Sequence, residues 1–183
     1  MRIIGGDHRG RKLASPPDKN IRPTSDRMRE TIFNILSHSG ISLRGANVLD
    51  VFAGTGALGL EALSRGAAHV TFFDKDRKSL QLVKKNVALL KAADRTTIRC
   101  IEVPKLPPSR TRFDFIFLDP PYNLDVISDT IIALDKKGYL SDDYIIVAEY
   151  SSDNTLIVPD FLNITKEKVY GEARFSFLIK EYD

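Results

Sequence analysis

The sequence has one cysteine, Cys100, no tryptophan, and three histidines, His8, His38 and His69, scattered through 183 residues. A single cysteine excludes an intramolecular disulfide. None of these side chains stands at the spacing of a metal site, so neither metal nor thiol chemistry is expected. Long apolar runs are also missing: the longest, residues 113–118 and 144–148, are strand-sized, and Met1-Arg2-Ile3-Ile4-Gly5-Gly6 lacks the apolar core of a secretory signal. The expectation is a cytoplasmic protein with no membrane partner. There is no internal repeat and no low-complexity stretch. With 43% hydrophobic and 28% charged residues, the chain suits one compact domain with a sizeable core.

What charge there is lies unevenly. The net charge is +3, yet residues 1–44 hold nine basic and four acidic residues, while the remainder holds 18 basic and 20 acidic. A basic leading segment on a slightly acidic body suits contact with phosphates by the first and binding of a small molecule by the second. A solvated basic face is the alternative, and charge alone does not separate the two.

The pattern of apolar residues predicts the elements. Residues 2–6 and 10–13 read as two short strands around a glycine-containing turn, a basic hairpin. Residues 14–23 carry three prolines and form a connector. Thr24 and Ser25 are candidate N-caps for a helix whose Met28, Ile32, Ile35 and Leu36 recur at helical spacing, with Gly40 beyond its end. From Asn47 onward strands and helices alternate: strands at 47–52, 69–73, 97–102, 113–118 and 144–149, with helices at 57–64, 77–92 and 126–134. Two last strands, 164–170 and 174–179, flank Gly171. This order implies an α/β fold with a mostly parallel sheet covered on both faces and ended by a C-terminal antiparallel hairpin.

The first strand runs into Asp50-Val51-Phe52-Ala53-Gly54-Thr55-Gly56-Ala57-Leu58-Gly59. A glycine turn beyond the carboxyl end of the first strand of such a sheet is a ligand site, and Gly54 and Gly56 let the backbone approach a ligand closely. Asp74, ending the second strand, is placed to accept hydrogen bonds from the two hydroxyls of a ribose. The spacing of Gly54, Gly56 and Gly59 also satisfies a dinucleotide fingerprint. Against that use, the Asp50 carboxylate repels a pyrophosphate but suits the ammonium and sulfonium charges of S-adenosylmethionine. Gly59 is expected to serve close helix-to-strand packing. A tight turn with Asp74 as a solvated strand end is the structural alternative.

After the apolar strand 113–118 stands Asp119-Pro120-Pro121-Tyr122, which parallel strands bring to the same sheet edge as the glycine turn. An exocyclic amine on a nucleic-acid base is a poor nucleophile because its lone pair is delocalised into the ring. The Asp119 carboxylate and the Pro120 carbonyl are two acceptors able to hold its two N–H groups and turn the lone pair toward a methyl donor. The prolines stiffen the corner, and Tyr122 offers a flat face for an extruded base. A merely rigid turn is the other reading of these residues.

The pair formed by this corner and the loop at residues 50–56 resembles the class I methyltransferases of exocyclic amines, a Rossmann-like fold. The blocks Arg2-Ile3-Ile4-Gly5-Gly6, Arg9-Gly10-Arg11-Lys12-Leu13, Arg22-Pro23-Thr24-Ser25-Asp26-Arg27-Met28-Arg29-Glu30 and Phe33-Asn34-Ile35-Leu36 resemble the RsmD family of 16S ribosomal RNA guanine-N2 methyltransferases. The likeness spans nearly the whole chain. It implies residues 1–23 as a basic hairpin and connector and 24–183 as the methyltransferase domain, with S-adenosylmethionine as cofactor and 16S rRNA, within a small subunit, as partner. It implies that Asp50, Phe52, Ala53, Gly54, Thr55, Gly56 and Asp74 hold the cofactor, with Thr24 and Arg27 closing over its methionine end. Asp119, Pro120, Pro121 and Tyr122 would hold the guanine, and Arg9, Arg11, Lys12 and Arg22 would meet RNA phosphates. One departure is Glu102-Val103-Pro104-Lys105, where relatives carry a small polar or acidic segment beside the adenine. Glu102 is the candidate there, with a solvent-facing strand end as the alternative. An N6-adenine methyltransferase, a nicotinamide-dependent oxidoreductase and a non-catalytic nucleic-acid-binding module are the competing functions.

Overall fold

The computed structural model describes residues 1–15, 25–120 and 124–181. Within them the order is α1 (Asp26–Leu36), β1 (Asn47–Val51), α2 (Ala57–Ser64), β2 (His69–Asp74), α3 (Arg77–Leu89), β3 (Thr96–Cys100), β4 (Phe113–Leu118), α4 (Leu124–Lys136), β5 (Leu140–Ser151), β6 (Leu162–Tyr170) and β7 (Ala173–Lys180). The strands form one sheet in the order β3-β2-β1-β4-β5-β7-β6. β1 to β5 are parallel, and β7 runs antiparallel between β5 and β6. The expected mostly parallel sheet ended by an antiparallel hairpin is the one that forms.

Helices cover both faces, which is why the central strands are apolar on both sides. Along β1, Val48 joins the core shared with α1, α2 and α3, while Leu49 and Val51 join the core on the α4 side. α1 starts at Ser25, whose side chain accepts the Met28 amide. It buries Ile32, Phe33 and Leu36, with the Phe33 ring 5.7 Å from that of Phe117 on β4. Arg29 is buried on this helix, its guanidinium donating to the Arg2 carbonyl at 2.9 Å and to Asp26 at 2.7 Å. Gly59 faces β2 so closely that a Cβ there would lie 2.4 Å from Phe72 Cε1. No helix among the described residues is long and apolar enough to cross a membrane.

Two expectations change in detail. The N-terminal hairpin is a ribbon with a single antiparallel bridge, Arg2 to Lys12, rather than a pair of strands. Its ladder stops because the amides of Ile4 and Gly5 donate instead to the buried Glu61 carboxylate, each at 2.8 Å. Ser64 adds to the dock, accepting from the His8 amide and donating to the Gly5 carbonyl. The second change is at the element ends: α3 stops at Leu89 rather than 92, with Lys91 in the left-handed region at φ 53°, and β5 begins at Leu140 rather than Tyr144.

Candidate active site

β1 and β4 are neighbours, but the chain leaves β1 toward β2 and β4 toward β5. The crossovers therefore diverge between their carboxyl ends, which opens a crevice there. The turn after β1 lies in this crevice with Phe52, Gly54 and Gly56 all at positive φ, 62°, 52° and 76°. A left-handed conformation costs a non-glycine residue on the order of 1–2 kcal/mol, so Phe52 is held there by its surroundings. The turn is braced by three bonds: Ala53 N to the Phe73 carbonyl at 2.9 Å, Gly56 N to the Ala53 carbonyl at 2.7 Å, and Gly54 N to Asp74 Oδ2 at 2.9 Å. Over Gly54 the space is open, since a Cβ there would meet only the Phe52 carbonyl oxygen at 3.9 Å.

Three carboxylates converge on the crevice. Asp50 sits beneath the turn: it is 3% exposed and accepts the Gly59 amide at 2.9 Å. Because Gly56 is the N-cap of α2 and supplies no side chain, Asp50 reaches from β1 to satisfy one of the orphan first-turn amides. Burial holds its carboxyl well above the usual carboxylate range; the Gly59 hydrogen bond opposes this, and the charges of Asp119 and Asp74 add to it. Asp119, half-buried just past β4, is pushed up to about 6 by burial. Asp74 accepts from Gly54 through one oxygen and from the Asp76 amide, at 2.8 Å, through the other. Each oxygen retains a second lone pair for a ligand. Carboxylates crowded in this way favour a cationic guest and oppose a pyrophosphate.

A cleft of about 140 Å³, open to solvent, lies over these strand ends and is walled by Phe52, Asp74, Ile101, Glu102, Val103 and Pro120 among others. It brings the glycine turn, the end of β2 and the corner after β4 onto one space. The apolar walls Ile101 and Val103, which flank Glu102, escape residue-by-residue inspection; their signal is an apolar-acidic-apolar triplet just past a strand end.

The remaining candidates fall into two groups. Arg9, Arg11 and Lys12 are exposed on the N-terminal ribbon, and Arg27 is exposed on the first turn of α1. Arg22, Thr24, Pro121 and Tyr122 lie outside the described residues. Sequence inspection misses Asn86 on α3. Fully buried, it accepts the Ala14 amide at 2.7 Å and donates to the carbonyls of Ala14 and Thr55, both at 3.1 Å. One side chain thus fastens the end of the ribbon to the glycine turn, a junction to which Met1 adds its sulfur, 3.6 Å from Thr55 Oγ1.

A family model described as Conserved hypothetical protein 95 fits residues 1–179. The Ribosomal RNA small subunit methyltransferase D of Escherichia coli strain K12 is 40% identical over 182 residues, 99% of this chain and 90% of that protein. Its namesake from Haemophilus influenzae is 37% identical over 175 residues, 93% of this chain and 89% of that one. The solved structure of yhhF from Escherichia coli superposes with a TM-score of 0.87 at 38% identity, covering 99% of this chain and 98% of that one. The fold is that of the Rossmann-like class I methyltransferases. With the family model fitting from Met1 to Ile179, this chain belongs to the Conserved hypothetical protein 95 family, the RsmD family that its N-terminal blocks resemble.

Proposed function

We propose that this protein transfers a methyl group from S-adenosylmethionine to the exocyclic N2 of a guanine in small-subunit 16S rRNA. The observation that carries it is that Asp74, below the glycine turn, and Pro120, of the Asp-Pro-Pro-Tyr corner, line one cleft. A nucleoside-binding carboxylate and an amine-holding corner then serve the same reaction. The substrate class comes from the relatives named rRNA small subunit methyltransferase D, and the guanine N2 from the family that the N-terminal blocks resemble.

The residues present fit the cofactor. The open space above Gly54 admits a close ligand, Asp74 faces the cleft for a ribose, and a cationic guest would favour the ionised forms of Asp50 and Asp119, whose carboxyls burial otherwise pushes up. The cofactor brings an electrophilic methyl group on a sulfonium. The protein's own work is on the amine. The Asp119 carboxylate and the Pro120 carbonyl accept the two N–H groups, so the lone pair is drawn out of conjugation with the ring and points at the methyl donor, whose carbon–sulfur bond would break to leave a neutral thioether. The Asp119 charge stabilises the positive charge that grows on nitrogen as the new bond forms. Asp119 is then in place to take the proton released. Tyr122 stacks on the base, while Arg9, Arg11, Lys12 and Arg22 hold phosphates, and Arg27 with Thr24 closes the methionine end.

The test is to incubate the protein and S-adenosylmethionine with small ribosomal subunits lacking the modification, digest the rRNA and identify the product by mass spectrometry. N2-methylguanosine is expected. N6-methyladenosine would overturn the base assignment, and no methylated nucleoside beside an active control enzyme would overturn the activity.

A further inference from the structure

The outer strand β6 presents seven consecutive exposed residues, 163–169, which is unusual for a strand joined along its length to β7. The pairing register sorts them onto the two faces of the sheet. Lys166 lies opposite Phe177, in a row that continues through Val147 to Phe117. Lys168 lies opposite Phe175, in a row that continues to Glu149, beside which Asp119 follows one residue past the Leu118–Ala148 pair. Phe117, Val147, Phe175 and Phe177 belong to the core on the α1 side, so both lysines lie on that face. Glu167, between them, turns to the other face, where it accepts from Ser176 at 2.7 Å and Tyr150 at 2.9 Å and lies 3.8 Å from Arg174. Its charge is spent against Arg174. The charge of the two lysines has no such partner among the described residues.

We propose that Lys166 and Lys168 form a second rRNA contact, gripping backbone phosphates on the flank of the Asp119 corner opposite the N-terminal ribbon. The proposal rests on the rRNA methylation proposed above and adds where the substrate strand runs. Three strand spacings separate Asp119 from Lys168, about 14 Å, which places the lysine within roughly four nucleotides of stacked strand from a base held at Asp119. The site is anchored where it must be. Tyr170, two residues on and on the same face, donates to Thr31 Oγ1 of α1 at 2.6 Å, and Arg27 sits one turn before Thr31 on the exposed side of that helix. Lys166, Lys168 and Tyr170 therefore run toward the strand ends where Asp119 lies, and Arg27 stands on the helix that Tyr170 touches. Charge identifies the occupant: a polyanion matches two uncompensated ammonium groups on an open strand, whereas an extended peptide adding to the β6 edge would need no cation on this face. Edge lysines also keep strands from pairing with other chains, and the experiment separates that role from the proposed one.

The double variant Lys166→Ala/Lys168→Ala is compared with wild type for binding to a 16S rRNA transcript across a range of salt, and for methylation of small subunits. The expected result is a salt slope lower by about 1.4–1.8, a KM for subunits raised about tenfold, and unchanged S-adenosylmethionine affinity. Lys166→Arg/Lys168→Arg should restore the slope. The control pair Lys136→Ala/Lys137→Ala, exposed where α4 ends, just before β5 starts and so at the ends of the parallel strands away from Asp119, should leave it unchanged. An unaltered slope and KM in the β6 variant would overturn the proposal, as would loss only through self-association, which would assign the lysines to edge protection. If wild type produces no methylated nucleoside, the proposed activity fails; if wild type is active and the β6 variant matches it, only this contact fails.

Discussion

Asp119 ties stability to activity in opposite directions, and pH exposes both. An ordinary aspartate titrates near about 3.9, whereas burial pushes Asp119 up to about 6. The folded protein thus favours the protonated form: the stability associated with this group is fully present below the unfolded value and is lost as pH rises through about 6. Two pH units correspond to about 3 kcal/mol. Partial exposure screens part of this, leaving on the order of 1–3 kcal/mol of strain at pH 8. Asp119→Asn removes the charge and keeps the shape, so its melting temperature should exceed that of wild type by roughly 3–10 °C at pH 8 and equal it at pH 4. Activity should show the converse. The ionised carboxylate holds the amine, so kcat/KM, which reports groups of the free enzyme, should fall about tenfold from pH 7 to pH 5. Asp119→Asn should lower it by about 100- to 1000-fold at pH 7 and abolish the bend. Calorimetry at the two pH values and a radiolabelled methyl-transfer assay give the readings. A wild-type profile flat to pH 5 in a folded protein, or a variant no more stable at pH 8, would refute the assignment of Asp119 as a strained, charged acceptor.

Two further substitutions test how the glycine turn is held. Gly59→Ala sets a methyl group 2.4 Å from Phe72 Cε1 and 2.9 Å from Val70 Cγ1, both fully buried. It should cost about 1–3 kcal/mol in urea denaturation while leaving S-adenosylmethionine affinity within about twofold; a large loss of affinity without a loss of stability would make Gly59 a ligand contact instead. Asn86→Ala strands buried backbone groups of Ala14 and Thr55 and should cost about 2–4 kcal/mol. It should raise the KM for S-adenosylmethionine several-fold with kcat at saturation nearly unchanged, which steady-state kinetics would check; a fall in kcat at constant KM would show that Asn86 does not act through the turn.

Much of this architecture is legible before folding because the chemistry and the sheet both demand particular residues. Parallel strands covered on two faces must be apolar throughout, so 113–118 stands out, and α2 begins and ends where the glycine turn and residue 64 place it. The start of β5 is hidden for the converse reason: Ser141, Asp142 and Asp143 read as a turn, and they extend only because Phe113 pairs with Leu140 across a shift in register. The less legible residues share another property. Glu61 lies inside the apolar run of α2 and Asn86 in the middle of an amphipathic helix, and, apart from the Arg65 guanidinium that Glu61 meets one turn on, their partners are backbone amides and carbonyls 31 to 72 residues away. A peptide group looks the same at every position, so nothing in sequence marks the one that a buried carboxylate or amide will bind. Asp50 shows both sides of this. Its type and place beside the turn point to a cationic ligand, yet its hydrogen bond to Gly59, which caps α2, becomes visible only once the strand and the helix are brought together. The side chains proposed to meet a ligand are therefore those that residue type and spacing single out, whereas those that meet the backbone are readable only from the fold.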